Sequence, residues 1–291
     1  MNLQNSHHDK LKALLENPKL PMEDKLKVQE AILRHATFIQ QLHEIKGDFE
    51  FVINTIEMDL IFDSPNDFLY RQKGQIKLEN TIIEEFLPIL VLATLDDHIQ
   101  SQNLTIGSKT CFSGIRFESG IRASKPGAGI QIREKDQDFA LSRELFIQSS
   151  HYHDFRESLT LASNIAYLVA ECKTNLDKTM FQEAAATAVD IKSAVPGAKY
   201  YLLCEWLDMT PISTSTTAID EIIILRKARR LPSDIRGQFN TYQGRQKHRQ
   251  FYTDYLTVHP FAVDTFSRFI MHIYNLITEH NEENVLSKGY F

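Results

Sequence analysis

The chain has 291 residues, 43% apolar and 24% charged, ordinary figures for a soluble globular protein of one large domain or two modest ones. A net charge of −6 excludes a protein that coats nucleic acid through bulk charge, though not one with a local basic cleft. The three cysteines, Cys111, Cys172 and Cys204, fit no zinc spacing or disulfide framework, and no apolar run is long enough to cross a bilayer, so buried free thiols in a cytoplasmic protein without a membrane partner are expected.

The first hundred residues read as helical. Met22–Lys46 places Leu26, Ile32, Leu33, Ala36, Ile39 and Leu42 near helical period, with Pro21 before it and Gly47 after it. Phe49–Phe62 repeats the pattern, and Leu78–Gln100 predicts a third long helix, bent at Pro88. Composition then shifts at Gly107. This divides the chain into a helical N-terminal region, residues 1–106, and a second unit, residues 107–291.

The second unit opens on a Gly- and Ser-rich stretch, Thr110–Gly129, with Arg116, Arg122 and Lys125 spaced along it. No phosphate-loop pattern occurs there; small residues with spaced cations suit either a connecting loop or close approach to a DNA backbone. Short strands are predicted at Ile130–Arg133 and Phe139–Ile147, with Asp136 and Asp138 at the turn between them. A polar segment containing His151 and His153 follows, then a strand at Ile165–Lys173. Asp177 reads as the N-cap of a helix ending near Ala194, before Pro196-Gly197. Lys199–Leu207 and Ile219–Leu225 read as strands, and Phe261–His280 as a closing helix. Three antiparallel strands, a helical crossover and a parallel strand make a mixed α/β sheet flanked by helices.

Three Glu-x-Lys triplets occur, at Glu23, Glu44 and Glu171. The first two lie in helical spacing and read as solvated charges. Glu171-Cys172-Lys173 instead closes an apolar strand. Alternation puts Glu171 and Lys173 on the face of Val169, with Cys172 on the other. If the Phe139 and Ile165 strands are antiparallel neighbours, Asp138 meets both. Two carboxylates in one cleft require a cation between them, and hard oxygen ligands suit Mg²⁺ shared with phosphate. Asp138 and Glu171 would hold the metal, the Cys172 carbonyl would add a ligand, and Lys173 would orient or deprotonate a water or stabilise developing charge. Asp136, Asp154 and Glu157 are the alternatives for the first acid, Asp136 foremost. Gln182 and Glu183 are candidates for a supporting role.

A strand acid followed by Glu-x-Lys on the next strand and then a helix resembles the PD-(D/E)xK nuclease core. The longer run of G-I-R-F-E-S-G-I-R, K-D-Q-D-F and A-E-C-K-T-N-L-D-K-T-M-F-Q-E-A resembles the BbvCI-type restriction endonucleases. That resemblance implies one subunit of an asymmetric heterodimer in which each subunit nicks one strand of a short DNA site. In this sequence Gln137 stands where the core pattern has proline, and the interval from Asp138 to Glu171 is long.

The segment Arg226–Arg249 carries eight Lys or Arg against one acid, Asp234. Local charge of this kind serves phosphate contact, and Arg, Asn and Gln also read base edges. Arg226, Lys227, Arg229, Arg230, Arg236, Arg245, Lys247 and Arg249 are therefore candidate DNA contacts. The leading expectation is a Mg²⁺-dependent, sequence-specific endonuclease subunit that acts on double-stranded DNA with a second nuclease subunit. A non-catalytic DNA-binding protein on the same sheet is the competing one.

Overall fold

The computed structural model describes residues 6–44, 62–65, 67–72, 78–122, 124–278 and 286. The helix expected at Phe49–Phe62 lies outside them except for its last residue. A five-stranded sheet runs in the order β1 (Thr105–Phe117), β2 (Ile130–Ser149), β3 (Leu159–Leu176), β4 (Lys199–Leu207) and β5 (Glu221–Ile224). The first three strands form an antiparallel meander, while β4 is parallel to β3 and β5 to β4. The helices among the described residues are α1 (Ser6–Glu16), α2 (Met22–Glu44), α3 (Asp67–Gln72), α4 (Leu78–Ser101), α5 (Lys178–Ala194), α6 (Ser233–Gly237), α7 (Tyr242–Val258) and α8 (Val263–Thr278). None of them is long and apolar enough to cross a membrane.

The mixed α/β sheet expected from the sequence is present, with local differences. The first part of the Gly- and Ser-rich stretch, from Thr110 to Phe117, belongs to β1 and is not a connecting loop. Register shifts at Gly107/Lys109 and Phe112/Gly114 break the alternation by which a strand is recognised. The two short strands expected around Asp136 are one continuous strand of 20 residues. Its charged middle stays extended because β1 pairs with it throughout, from Ile130 to Ser142. In α4 the non-helical backbone falls at Leu95 (φ −132°, ψ 16°), not at Pro88. There the Thr94 hydroxyl bonds back to the Leu90 and Val91 carbonyls at 2.9 and 3.1 Å, an arrangement that bends helices.

Alternation along the central strands builds two cores. On one face Phe139, Leu168, Ala170, Cys172 and Leu203 pack under α4 and α8. Since α4 lies in this core, packing crosses the compositional boundary at residue 106. On the other face Ala140, Val169, Tyr200, Leu202 and Cys204 pack under α5, whose Ala184 and Ala188 allow close approach. Asp177 caps α5, its Oδ1 accepting from the Met180 amide at 2.9 Å. A third cluster, at the far end of β4, joins Trp206 to α1, α2 and α7.

The β1–β2 arm curls back over the β2–β3 hairpin. Gly127 N donates to Glu157 O at 2.7 Å, Asn164 Nδ2 to Thr110 O at 3.0 Å, and Ser163 Oγ to Glu134 Oε1 at 2.5 Å. Phe269 of α8 is buried edge-on against Phe139 and Tyr201, at 5.7 and 5.8 Å between centroids. Phe269→Ala is expected to cost about 3–5 kcal/mol, read as a lower urea midpoint at unchanged slope.

Candidate active site

The long interval between Asp138 and Glu171 is one hairpin. β2 runs out to Ser149, the turn carries the polar S-H-Y-H-D-F-R-E segment, and β3 returns. The β2–β3 ladder runs from Ser149/Leu159 to Phe139/Ala170 and stops. Asp138 and Glu171 are the next residue on each strand. From this point β2 stays with β1, while β3 continues beside β4 alone. The sheet forks there, and the Asp138 carboxylate bridges the gap: its Oδ2 accepts from the Cys172 amide at 3.0 Å.

Glu171 lies on the α5 face, as Val169 does. Its Oε1 is 2.6 Å from Lys173 Nζ, and the two side chains are 18% and 17% exposed. Its Oε2 accepts a hydrogen bond from the hydroxyl of Tyr200 on β4. Burial alone would lower the Lys173 pKa, but the charge and hydrogen bond of Glu171, with Asp138 behind them, more than offset it and hold the ammonium above its ordinary value. Burial and the Glu171 charge push the Tyr200 phenol well up, so it stays a neutral donor. Sequence reasoning missed Tyr200. The available signal was a tyrosine inside an apolar strand, since a buried phenol needs a polar partner.

The alternatives to Asp138 do not reach the fork. Asp136 is exposed and accepts from the Thr110 hydroxyl at 2.6 Å. Asp154 and Glu157 sit in the turn at the opposite end of the hairpin. Gln182 and Glu183 are exposed, and their side chains make no hydrogen bond to the site among the described residues. His151 approaches Ser119 Oγ at 3.3 Å, and no group of three or more His, Cys, Asp or Glu placed to hold a metal occurs among the described residues. All three cysteines are buried and free. The Cys172 thiol lies on the face opposite Glu171, and burial, with Asp138 nearby, raises its pKa far above the thiolate range, so only its backbone can serve the site.

Two of the basic candidates are corrected. Arg245 is fully buried and donates to the carbonyls of Phe62, Phe239 and Ser64 at 2.8, 2.9 and 2.9 Å and to Asp67 at 3.1 Å. Arg226 is buried as well, with Nε 2.6 Å from Glu205, Nη1 donating to His259 O at 3.0 Å, and its guanidinium 3.7 Å from the Phe261 ring centroid. Neither side chain can touch DNA; an arginine is buried where carbonyls and carboxylates satisfy its fork of donors.

The rest of the basic run is at or near the surface. Lys227 pairs with Asp264, Arg230 lies 3.7 Å from Asp208, and Arg249 grips Asp63 at 2.7 Å. Arg236 donates to Leu231 O at 2.9 Å, while Arg229 and Lys247 are exposed without an ion pair among the described residues. On the β1–β2 arm, Arg122 is exposed, Arg116 bonds Gln131 at 2.8 Å, and Lys125 lies 3.3 Å from Glu118.

This fold is that of a restriction enzyme. The chain matches the solved structure of the "native BbvCI A2B2 tetramer at low resolution" with a TM-score of 0.51 and 20% identity, over 87% of this chain and 98% of that one. Residues 75–291 match the family described as Bpu10I restriction endonuclease, and the chain belongs to that family. It is a type II site-specific deoxyribonuclease, and its substrate is DNA. No curated protein matches the chain.

Asp138→Ala removes the acceptor from the Cys172 amide and is expected to cost about 1–2 kcal/mol of stability. Asp138→Asn keeps an oxygen there and should cost less than half as much. Urea unfolding of both variants measures the difference.

Proposed function

We propose that this chain hydrolyses a phosphodiester bond in one strand of a specific duplex site, with Mg²⁺ as its cofactor and Asp138, Glu171 and Lys173 as its catalytic residues, in the manner of PD-(D/E)xK nucleases. The observation that carries this reading is the fork, where two carboxylates on neighbouring strands and one ammonium meet on one face of the sheet.

The donor set fits a magnesium ion. Both candidate side-chain ligands at the fork, Asp138 and Glu171, offer hard carboxylate oxygens. Mg²⁺ characteristically binds through one or two carboxylates and fills its remaining positions with water and phosphate oxygen. Lys173 and Tyr200 each take one lone pair of Glu171, which leaves the carboxylate with acceptor capacity. The Cys172 carbonyl is a further ligand we propose. When bound, the ion supplies Lewis-acid charge at the scissile phosphate and makes a coordinated water more acidic.

The protein's own contribution is placement. Asp138 is fixed by the Cys172 amide, and Glu171 is held between Lys173 and Tyr200, so neither acid has to reorganise as substrate arrives. Lys173 acts as an ammonium, orienting the attacking water and stabilising charge on the phosphoryl oxygens, rather than as a base. The exposed cations of the β1–β2 arm and of the basic run contact the duplex. A second nuclease subunit cuts the other strand, a reading supported by the A2B2 tetramer of the BbvCI structure.

Plasmid cleavage during a Mg²⁺ titration tests the assignment. The chain with its partner is expected to linearise DNA only with the metal. Lys173→Glu should slow cutting of its own strand by on the order of 10²–10³-fold, leave a nicked circle, and retain duplex binding. Cutting of both strands at the wild-type rate by that variant would mean the site is misassigned.

A further inference from the structure

We propose that the outward stripe of α7, formed by Gln243, Lys247 and Gln250, reads base edges of the target duplex. This rests on the nuclease reading above and adds to it the element that sets sequence specificity.

β3 and β4 are in register from Leu168/Lys199 to Leu176/Leu207, with Lys173 beside Cys204 and Asn175 beside Trp206. Trp206 therefore stands two residues, or about 7 Å, beyond the Lys173 level. Alternation along β4 puts it on the same face as Tyr200, the residue that bonds Glu171. Tyr255 of α7 stacks on Trp206 at 5.3 Å between ring centroids and 29° between planes. The helix is thus docked at the forked end of the sheet, on the catalytic side.

Arg245, bonded to residues 62, 64, 67 and 239, and Arg249 on Asp63 fix which side of α7 faces inward. Leu256 is buried on the same side. Gln243, Lys247 and Gln250, at spacing i, i+4 and i+7, are left exposed in one row. The row is about 10 Å long, roughly three base-pair steps. A helix with its side chains is about 10–12 Å wide and enters a major groove about 12 Å wide.

The helix α7 contains a single acid, Asp254, one turn beyond Gln250. The side chains of Gln243 and Lys247 make no hydrogen bond or ion pair among the described residues, and Gln250 makes only an exposed bond to Asp254 at 2.8 Å. A phosphate-tracking face is built from cations. A face of two amides and one lysine matches base edges instead, since Gln pairs with adenine and Lys with guanine.

The test selects duplexes bound by the purified full chain, with its partner subunit where one co-purifies, from a randomised pool without divalent metal. Gln243→Ala, Lys247→Ala and Gln250→Ala are then compared with the wild type. Each variant should melt like the wild type, since its side chain is exposed. Each should bind the wild-type sequence roughly tenfold or more weakly, change the selected sequence at one or two positions, and bind a shuffled duplex almost as before. Equal losses on both duplexes would make the stripe a phosphate contact and overturn the proposal. An unchanged selected sequence, or no sequence enriched by the wild type, would overturn it too. Cleavage with Mg²⁺ is scored separately, so an absence of cutting counts against the nuclease reading while the selection still decides the role of α7.

Discussion

The architecture turns on a single backbone amide. Where β3 leaves β2, the Cys172 N–H points into a gap that a neighbouring strand would otherwise fill, and an unmade bond to a buried amide is costly. The Asp138 carboxylate takes that bond. An acid used as a piece of sheet cannot wander, and it is brought to the level of Glu171 by the same hairpin register. Two carboxylates so placed are costly without a counter-charge, which Lys173 provides from the next same-face position on the strand. The features that make the fork stable are therefore the ones the proposed nuclease chemistry uses.

What the sequence made legible, and what it hid, follows from this construction. The bounds of β4 coincide with the apolar run Lys199–Leu207, because that strand is covered on both faces and every residue signals burial. α5 was legible from its cap and its trailing Pro-Gly. The pairing of Asp138 with Glu171 followed from antiparallel neighbours. β1 was hidden because its two irregularities and its glycines erase the period of two. The middle of β2 was hidden because an arm paired along one edge can carry Glu134, Lys135 and Asp136 in an extended strand, whereas the same letters in isolation read as a turn.

α7 escaped sequence reading for a different reason. Its first two turns have no apolar stripe, since Arg245 stands where a leucine would be expected and makes its contacts through hydrogen bonds. Charge along the chain likewise could not separate Arg226 and Arg245 from Lys247. All lie in one basic run, but the first two are inside the protein and the third is outside. The run overstates the protein's DNA-facing charge, because a cation whose donors are spent on internal carbonyls and on Glu205 or Asp67 offers none to a phosphate.

Arg226 and its neighbours also hold the end of the sheet at which the fork lies. The end of β4 is clasped from several directions: the Arg226 guanidinium lies 5.0 Å from the Trp206 ring, Tyr255 stacks on the same indole, and Asp208 N donates to Leu176 O at 2.8 Å. The first two contacts tie the basic run and α7 to β4, and the third ties the end of β4 to β3, the strand that carries Glu171 and Lys173. A shift of α7 would therefore have to break buried hydrogen bonds or unstack a buried indole. On the proposed reading, the element that meets the bases cannot move independently of the element that meets the phosphate, because both are fastened near the ends of β3 and β4.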